Sequence, residues 1–155
     1  MTGPESLYTL NLLAERITAE RDAAQKYLAE CIQRASQARN TAGELSQYRQ
    51  DYEQRWGRQF AQAGTMDIVQ CYQNFSGKLN DAIQSQGQLA TQAEARVEAS
   101  RTALLAVEMR LAAVKKLIER RQAETQLREQ RQEQKASDEF AARVARDRVR
   151  NIPSI

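Results

Sequence analysis

From Val69 to Ile118 the chain places a seam residue at alternating steps of three and four: Val69, Tyr72, Ser76, Leu79, Ile83, Gln86, Ala90, Ala93, Val97, Ser100, Leu104, Val107, Leu111, Val114 and Ile118. Twelve of the fifteen are apolar or Tyr, and a step averaging 3.5 keeps one stripe turned toward a partner helix. The stripe stops at Ile118, although helix-favouring sequence continues for about thirty residues more. A second stripe precedes it: Leu10, Ala14, Ile17, Arg21, Ala24, Leu28, Cys31, Ala35, Ala38, Ala42, Leu45, Arg49, Tyr52 and Trp56, of which twelve of fourteen are apolar or aromatic. The expected fold is all-α, a long two-helix antiparallel coiled-coil hairpin with unequal arms and a C-terminal helical overhang.

Composition agrees with a narrow seam and not with a thick core. Of the 155 residues 6% are aromatic and 28% charged, and the mean hydropathy is -0.72. A two-helix seam buries one stripe per helix and needs little apolar material. Both prolines, Pro4 and Pro153, lie at the extremities, so no proline forces a break between them. The expected organisation is one antiparallel domain over 1–155, with helix 1 over about 5–61, a turn over about 62–65 and helix 2 over about 66–148. Within it, 119–150 is expected to have no partner arm.

Ser6 is the expected N-cap of the first helix, because its hydroxyl can accept from an orphan amide of the first turn. At the other end, Gly64 can take a left-handed conformation and Thr65 can cap the next helix. Gly57 is an alternative end for helix 1. So short a connection permits only antiparallel neighbours. Pairing residues whose numbers sum to about 127 sets Leu45 near Ala82, Tyr52 near Phe75, Leu28 near Ala99 and Ser100, and Leu10 near Leu117, over roughly 80 Å at about 1.5 Å per residue. The same register sets Ala35, Ala38 and Ala42 opposite Ala93, Ala90 and Gln86, where small side chains allow close approach. Gly43, Gly77 and Gly87 fall inside helical patterns, each costing about 1 kcal/mol relative to alanine, with local bending expected.

Several chemistries are excluded by what the chain lacks. There is no histidine, hence neither the commonest general base nor the commonest nitrogen ligand for zinc. No glycine-rich phosphate loop occurs, and a two-helix structure offers no cavity for paired carboxylates, so no enzymatic activity, metal or cofactor is expected. Cys31 and Cys71 fall far apart along the axis, beyond the reach of an intramolecular disulfide. No apolar run approaches the roughly 20 residues of a membrane helix, and MTGPESLYTL lacks the basic start of a signal peptide, so a cytoplasmic setting without membrane insertion is expected. The net charge of +3 is spread among interleaved acids and bases, including around Arg120, Arg121, Arg128 and Arg131. Nucleic-acid binding would need a purer basic stripe.

What remains is interaction chemistry. Tyr48, Tyr52, Trp56, Phe60, Tyr72 and Phe75, six of nine aromatics, cluster on both sides of the turn. A two-stranded seam cannot cover so many rings, and partly exposed aromatics are a contact surface. From Glu119 to Arg150 the larger apolar residues are only Leu127, Phe140, Val144 and Val149. An isolated helix of this kind is marginal in water, so the segment is expected to fray alone and to order on a partner.

Three stretches in order, Leu45-Ser46-Gln47-Tyr48-Arg49-Gln50-Asp51-Tyr52, then Cys71 to Ile83 (CYQNFSGKLNDAI), then Gln134 to Arg143 (QKASDEFAAR), resemble the flagellar export protein FliJ family over nearly the whole chain. The resemblance implies a stalk or coupling component of the flagellar type III export apparatus. Its partners would be the hexameric export ATPase, the cytoplasmic domain of the export gate membrane protein, and export chaperones. It also implies a location in the cytoplasm at the inner-membrane base of the flagellum. By resemblance, Leu45, Tyr48, Tyr52, Phe75, Leu79, Ala82 and Gln86 form the gate-binding surface. Gln134, Lys135, Asp138, Glu139, Phe140 and Arg143 match the C-terminal signature, assigned to the ATPase. Ser76-Gly77 interrupts the tip motif with poor helix formers. Alternatives are a holdase-type export chaperone and the equivalent stalk of a virulence injection system.

Overall fold

The computed structural model describes residues 3–62 and 65–154. Two helices account for nearly all of them, α1 over Pro4–Gln62 and α2 over Met66–Arg150. The all-α two-helix expectation holds: the helices pack against one another and run antiparallel. Gly64 lies outside the described residues, as does the side chain of Phe60.

The N-terminal cap differs from expectation. α1 begins at Pro4, and the Ser6 N–H donates to the Gly3 carbonyl at 2.9 Å, so Ser6 sits inside the first turn. Proline is suited to the first helical position: its φ is already helical and its missing N–H would have had no intrahelical acceptor there. At the start of α2 the Thr65 carbonyl accepts from the Val69 N–H at 3.2 Å, the first bond of that helix. α1 continues through Gly57, and α2 through Ser76 and Gly77. None of the described glycines has positive φ.

The chain divides into two compact units, residues 1–18 with 109–155, and Ala19–Glu108. Within the Ala19–Glu108 unit, Cys31, Ala35 and Val97 form a buried cluster with Leu28 and Ala93 packed on it. Cross-helix pairs in this unit set the register: Tyr52 with Phe75, Arg49 with Asn80, Cys31 with Ser100 and Arg39 with Glu94. Their numbers sum to 127 at Tyr52–Phe75 and to 131 at Cys31–Ser100. The expected sum of 127 is therefore met at Tyr52–Phe75, and the bonded pairs farther from the turn join residues a few positions beyond it, Cys31 and Ser100 within the seam itself. Ser100 is buried, and its hydroxyl donates to the Arg96 carbonyl at 2.7 Å. That bond removes the cost of a polar group in the seam.

In the other unit, Ile17 and Leu111 are buried, and Gly3, Ser6 and Leu7 line one groove with Arg121, Glu124, Thr125 and Arg128. The first turn of α1 thus lies beside residues 121–128, which follow the end of the apolar stripe at Ile118. Every residue from Gln122 to Ser154 is exposed. The segment is helical to Arg150. The physical reason is that it is no isolated helix. It extends one already nucleated, and adding residues to an existing helix avoids the costly step of starting one. Ala, Gln, Glu and Arg dominate it and favour propagation, and the Gln134 amide donates to Asp138 Oδ1 at 3.0 Å across one turn.

Candidate interaction surfaces

The aromatic cluster is built by helical spacing on both sides of the seam. Tyr48, Tyr52 and Trp56 follow one another at intervals of four on α1, and Tyr72 and Phe75 stand at an interval of three on α2. Tyr52 is at the centre. Its ring lies 4.6 Å from Phe75, 5.7 Å from Tyr72, 5.8 Å from Trp56 and 6.4 Å from Tyr48 between centroids. Trp56 also meets Tyr72 at 5.8 Å. These separations lie in the range where offset and edge-to-face ring pairs attract beyond their area burial.

The cluster both covers itself and presents a face. Tyr52, Trp56 and Tyr72 are half-buried, whereas Tyr48 remains 51% and Phe75 40% exposed. Burial raises the pKa of the Tyr52 hydroxyl above 10.0, reinforced by the neighbouring Tyr48 and Tyr72 and opposed by a hydrogen bond with the Trp56 side chain. Tyr52 is thus neutral at physiological pH and acts as a packing and hydrogen-bonding group.

The structure sorts the other residues of the expected tip surface by depth. Leu79 is only 7% exposed, so it supports the surface from beneath. Leu45 and Gln86 are half-buried, and Ala82 is exposed. Phe75, Leu79, Ala82 and Gln86, spaced by four, three and four, share one side of α2. The outward part of the surface is accordingly Tyr48, Phe75 and Ala82.

Sequence reasoning placed Arg49 in the seam but did not anticipate its bond. Arg49 Nη1 donates to Asn80 Oδ1 across the helices at 3.2 Å, in the middle of the tip residues. The available signal was the charged residue itself, standing at a position the period reserves for apolar side chains.

The tail residues are all exposed. Lys135, Glu139 and Arg143 stand at intervals of four along one face, Gln134 and Asp138 pair on the next, and Phe140 is 70% exposed. An exposed Phe on a charged helix contributes nothing to internal packing.

Among the described residues no group of acidic or cysteine side chains is arranged to hold a metal, and no helix is long and apolar enough to cross a membrane. Both surfaces offer binding groups: rings and aliphatic side chains in one, alternating charges around a single Phe in the other. Neither characterised relatives nor solved structures gave a match. The family model described as flagellar FliJ protein matches residues 6–150, taking in both helices, the aromatic cluster and the tail. The chain therefore belongs to the flagellar FliJ family, whose members are components of the flagellar export apparatus.

Proposed function

We propose that this chain is a non-enzymatic stalk that engages the hexameric export ATPase and the cytoplasmic domain of the export gate, promoting ATP hydrolysis and protein export. The observation that carries the reading is the coexistence of two unlike exposed surfaces on a chain that folds with so small a core. Tyr48, Phe75 and Ala82 offer an apolar contact supported by Tyr52 and Leu79. Such half-exposed rings on a well-packed base resemble the anchors that dominate protein interfaces. The gate domain is the partner assigned to them. Exposed Gln134, Lys135, Asp138, Glu139, Phe140 and Arg143 offer a charged helix with one aromatic anchor. The ATPase is the partner assigned there, and the place of work is the cytoplasmic face of the inner membrane.

The test is hydrolysis by the cognate ATPase with and without saturating full chain. Stimulation is expected, and it should fall when Phe140 and Arg143 are both replaced by alanine. No stimulation by the native chain sinks the proposal. A chain ending at Arg128 removes the tail signature and keeps the residues beside Gly3, Ser6 and Leu7, and it too should stimulate less than the full chain.

The exposed rings also favour a second reading, a holdase that shelters export substrates or their chaperones. In that case alanine at Tyr48, Tyr52 and Phe75 abolishes substrate binding and leaves ATPase stimulation intact.

A further inference from the structure

Two arginines occupy seam positions of α1, Arg21 and Arg49, four heptads apart. Their surroundings differ. Arg21 directs both hydrogen bonds to Asp22 on its own helix, from Nε at 3.2 Å and from Nη2 at 2.9 Å. It reads nothing of α2. Arg49 reaches across instead, Nη1 donating to Asn80 Oδ1 at 3.2 Å. Its Nε is buried without a hydrogen-bond acceptor, the nearest carboxylate oxygen being Glu53 Oε1 at 4.0 Å.

A buried donor left without an acceptor is a cost that an apolar side chain at the same position would not carry. A seam built from a 3.5 repeat has a corresponding weakness: displaced pairings along the axis present the same kind of stripe. Alanines and serines near the middle of this seam discriminate poorly between pairings, having little shape. A polar residue at a seam position that finds its partner in one register only can make the choice, trading stability for specificity.

We infer that Arg49 is the register-specifying residue of the tip, acting through Asn80. Leu45 and Tyr52 of α1 flank Arg49 in the seam, and Leu79 of α2 adjoins Asn80 in sequence. Holding Asn80 against Arg49 sets Tyr52 against Phe75 and keeps Leu79 beneath the outward residues. Arg49 is a positioning residue, and it need not touch a partner. The consequence for partner binding rests on the gate-binding reading above; the register itself does not.

The experiment measures register directly in the full chain. Spin labels on Gln37 and Gln73, in a Cys31→Ala, Cys71→Ala background, are offset along the helices, so a slip of one against the other alters their separation. One narrow distance distribution is expected for Arg49. In Arg49→Leu a second population is expected, displaced by up to one helical turn, about 5 Å, while the thermal midpoint holds or rises. Asn80→Ala removes the acceptor without changing the seam and should show the same second population. A single unshifted distribution in both variants overturns the inference. The purified gate domain should bind Arg49→Leu several-fold more weakly than the native chain. Failure of the native chain to bind it removes the gate reading and leaves the distance result standing.

Discussion

Tyr52 of α1 and Phe75 of α2 meet with ring centroids 4.6 Å apart and planes inclined at 51°, the shortest ring separation among the described residues of the aromatic cluster. This pair joins the two helices at the centre of a cluster in which Tyr48, Trp56 and Tyr72 also meet the Tyr52 ring. Tyr52→Ala removes the centre of four ring contacts and should lower the unfolding free energy by about 2–3 kcal/mol, below the loss for a fully buried ring. Tyr52→Phe should keep most of that, and chemical denaturation of the three proteins decides it.

The same residue introduces an alkaline limit. The folded state raises the Tyr52 pKa above 10.0, so it holds the proton more tightly than the unfolded chain does. The stability this contributes is intact below about pH 10, where both states are protonated, and is lost as pH rises through the folded value. The native chain should therefore lose thermal stability faster than Tyr52→Phe above about pH 10, with the difference constant between pH 7 and 9. Parallel curves at all pH values would refute this.

Gly43, Gly57, Gly77 and Gly87 are helical with negative φ, and a Cβ added at any of them meets nothing within 4 Å. Each replacement by alanine should stabilise the protein by about 0.5–1 kcal/mol, because it removes glycine's excess entropy in the unfolded chain without any clash. The four should be nearly additive, being well separated. Thermal midpoints of the single and quadruple variants measure this.

Two large apolar residues of α2 should respond oppositely. Leu111 is 4% exposed, and Leu111→Ala should cost about 2–4 kcal/mol through lost burial and the cavity left behind. Phe140 lies on the uncovered part of the helix, and Phe140→Ala should change stability by less than about 0.5 kcal/mol. A large loss at Phe140 would mean that the tail packs on something in the free protein.

Burial in this protein was legible to an unusual degree because a coiled coil ties it to a single period. Every seam position of both helices is at least half-buried, down to the polar Ser76, Gln86, Ser100, Arg21 and Arg49. The expected tip surface was legible only as a set of types, for a resemblance names residues without saying which face outward. Leu79 belongs to that set and is covered, while Tyr48 and Phe75 are open. The N-cap was misplaced because Ser6 carries the stronger local signal, whereas Pro4 acts through the backbone.

The sequence by itself determined that two helices form, which stripe of each is buried and where the apolar stripe ends. A hydrophobic period depends only on neighbours three and four residues away, and those are always at hand in the chain. The short turn set the pairing beside it, Tyr52 with Phe75, and only the tertiary structure decided which side chains bond across the helices, Arg49 with Asn80 and Cys31 with Ser100. A heptad stripe looks alike after every repeat, so its period cannot name a partner. That choice falls to side chains distant in sequence whose shapes and hydrogen bonds match in one alignment.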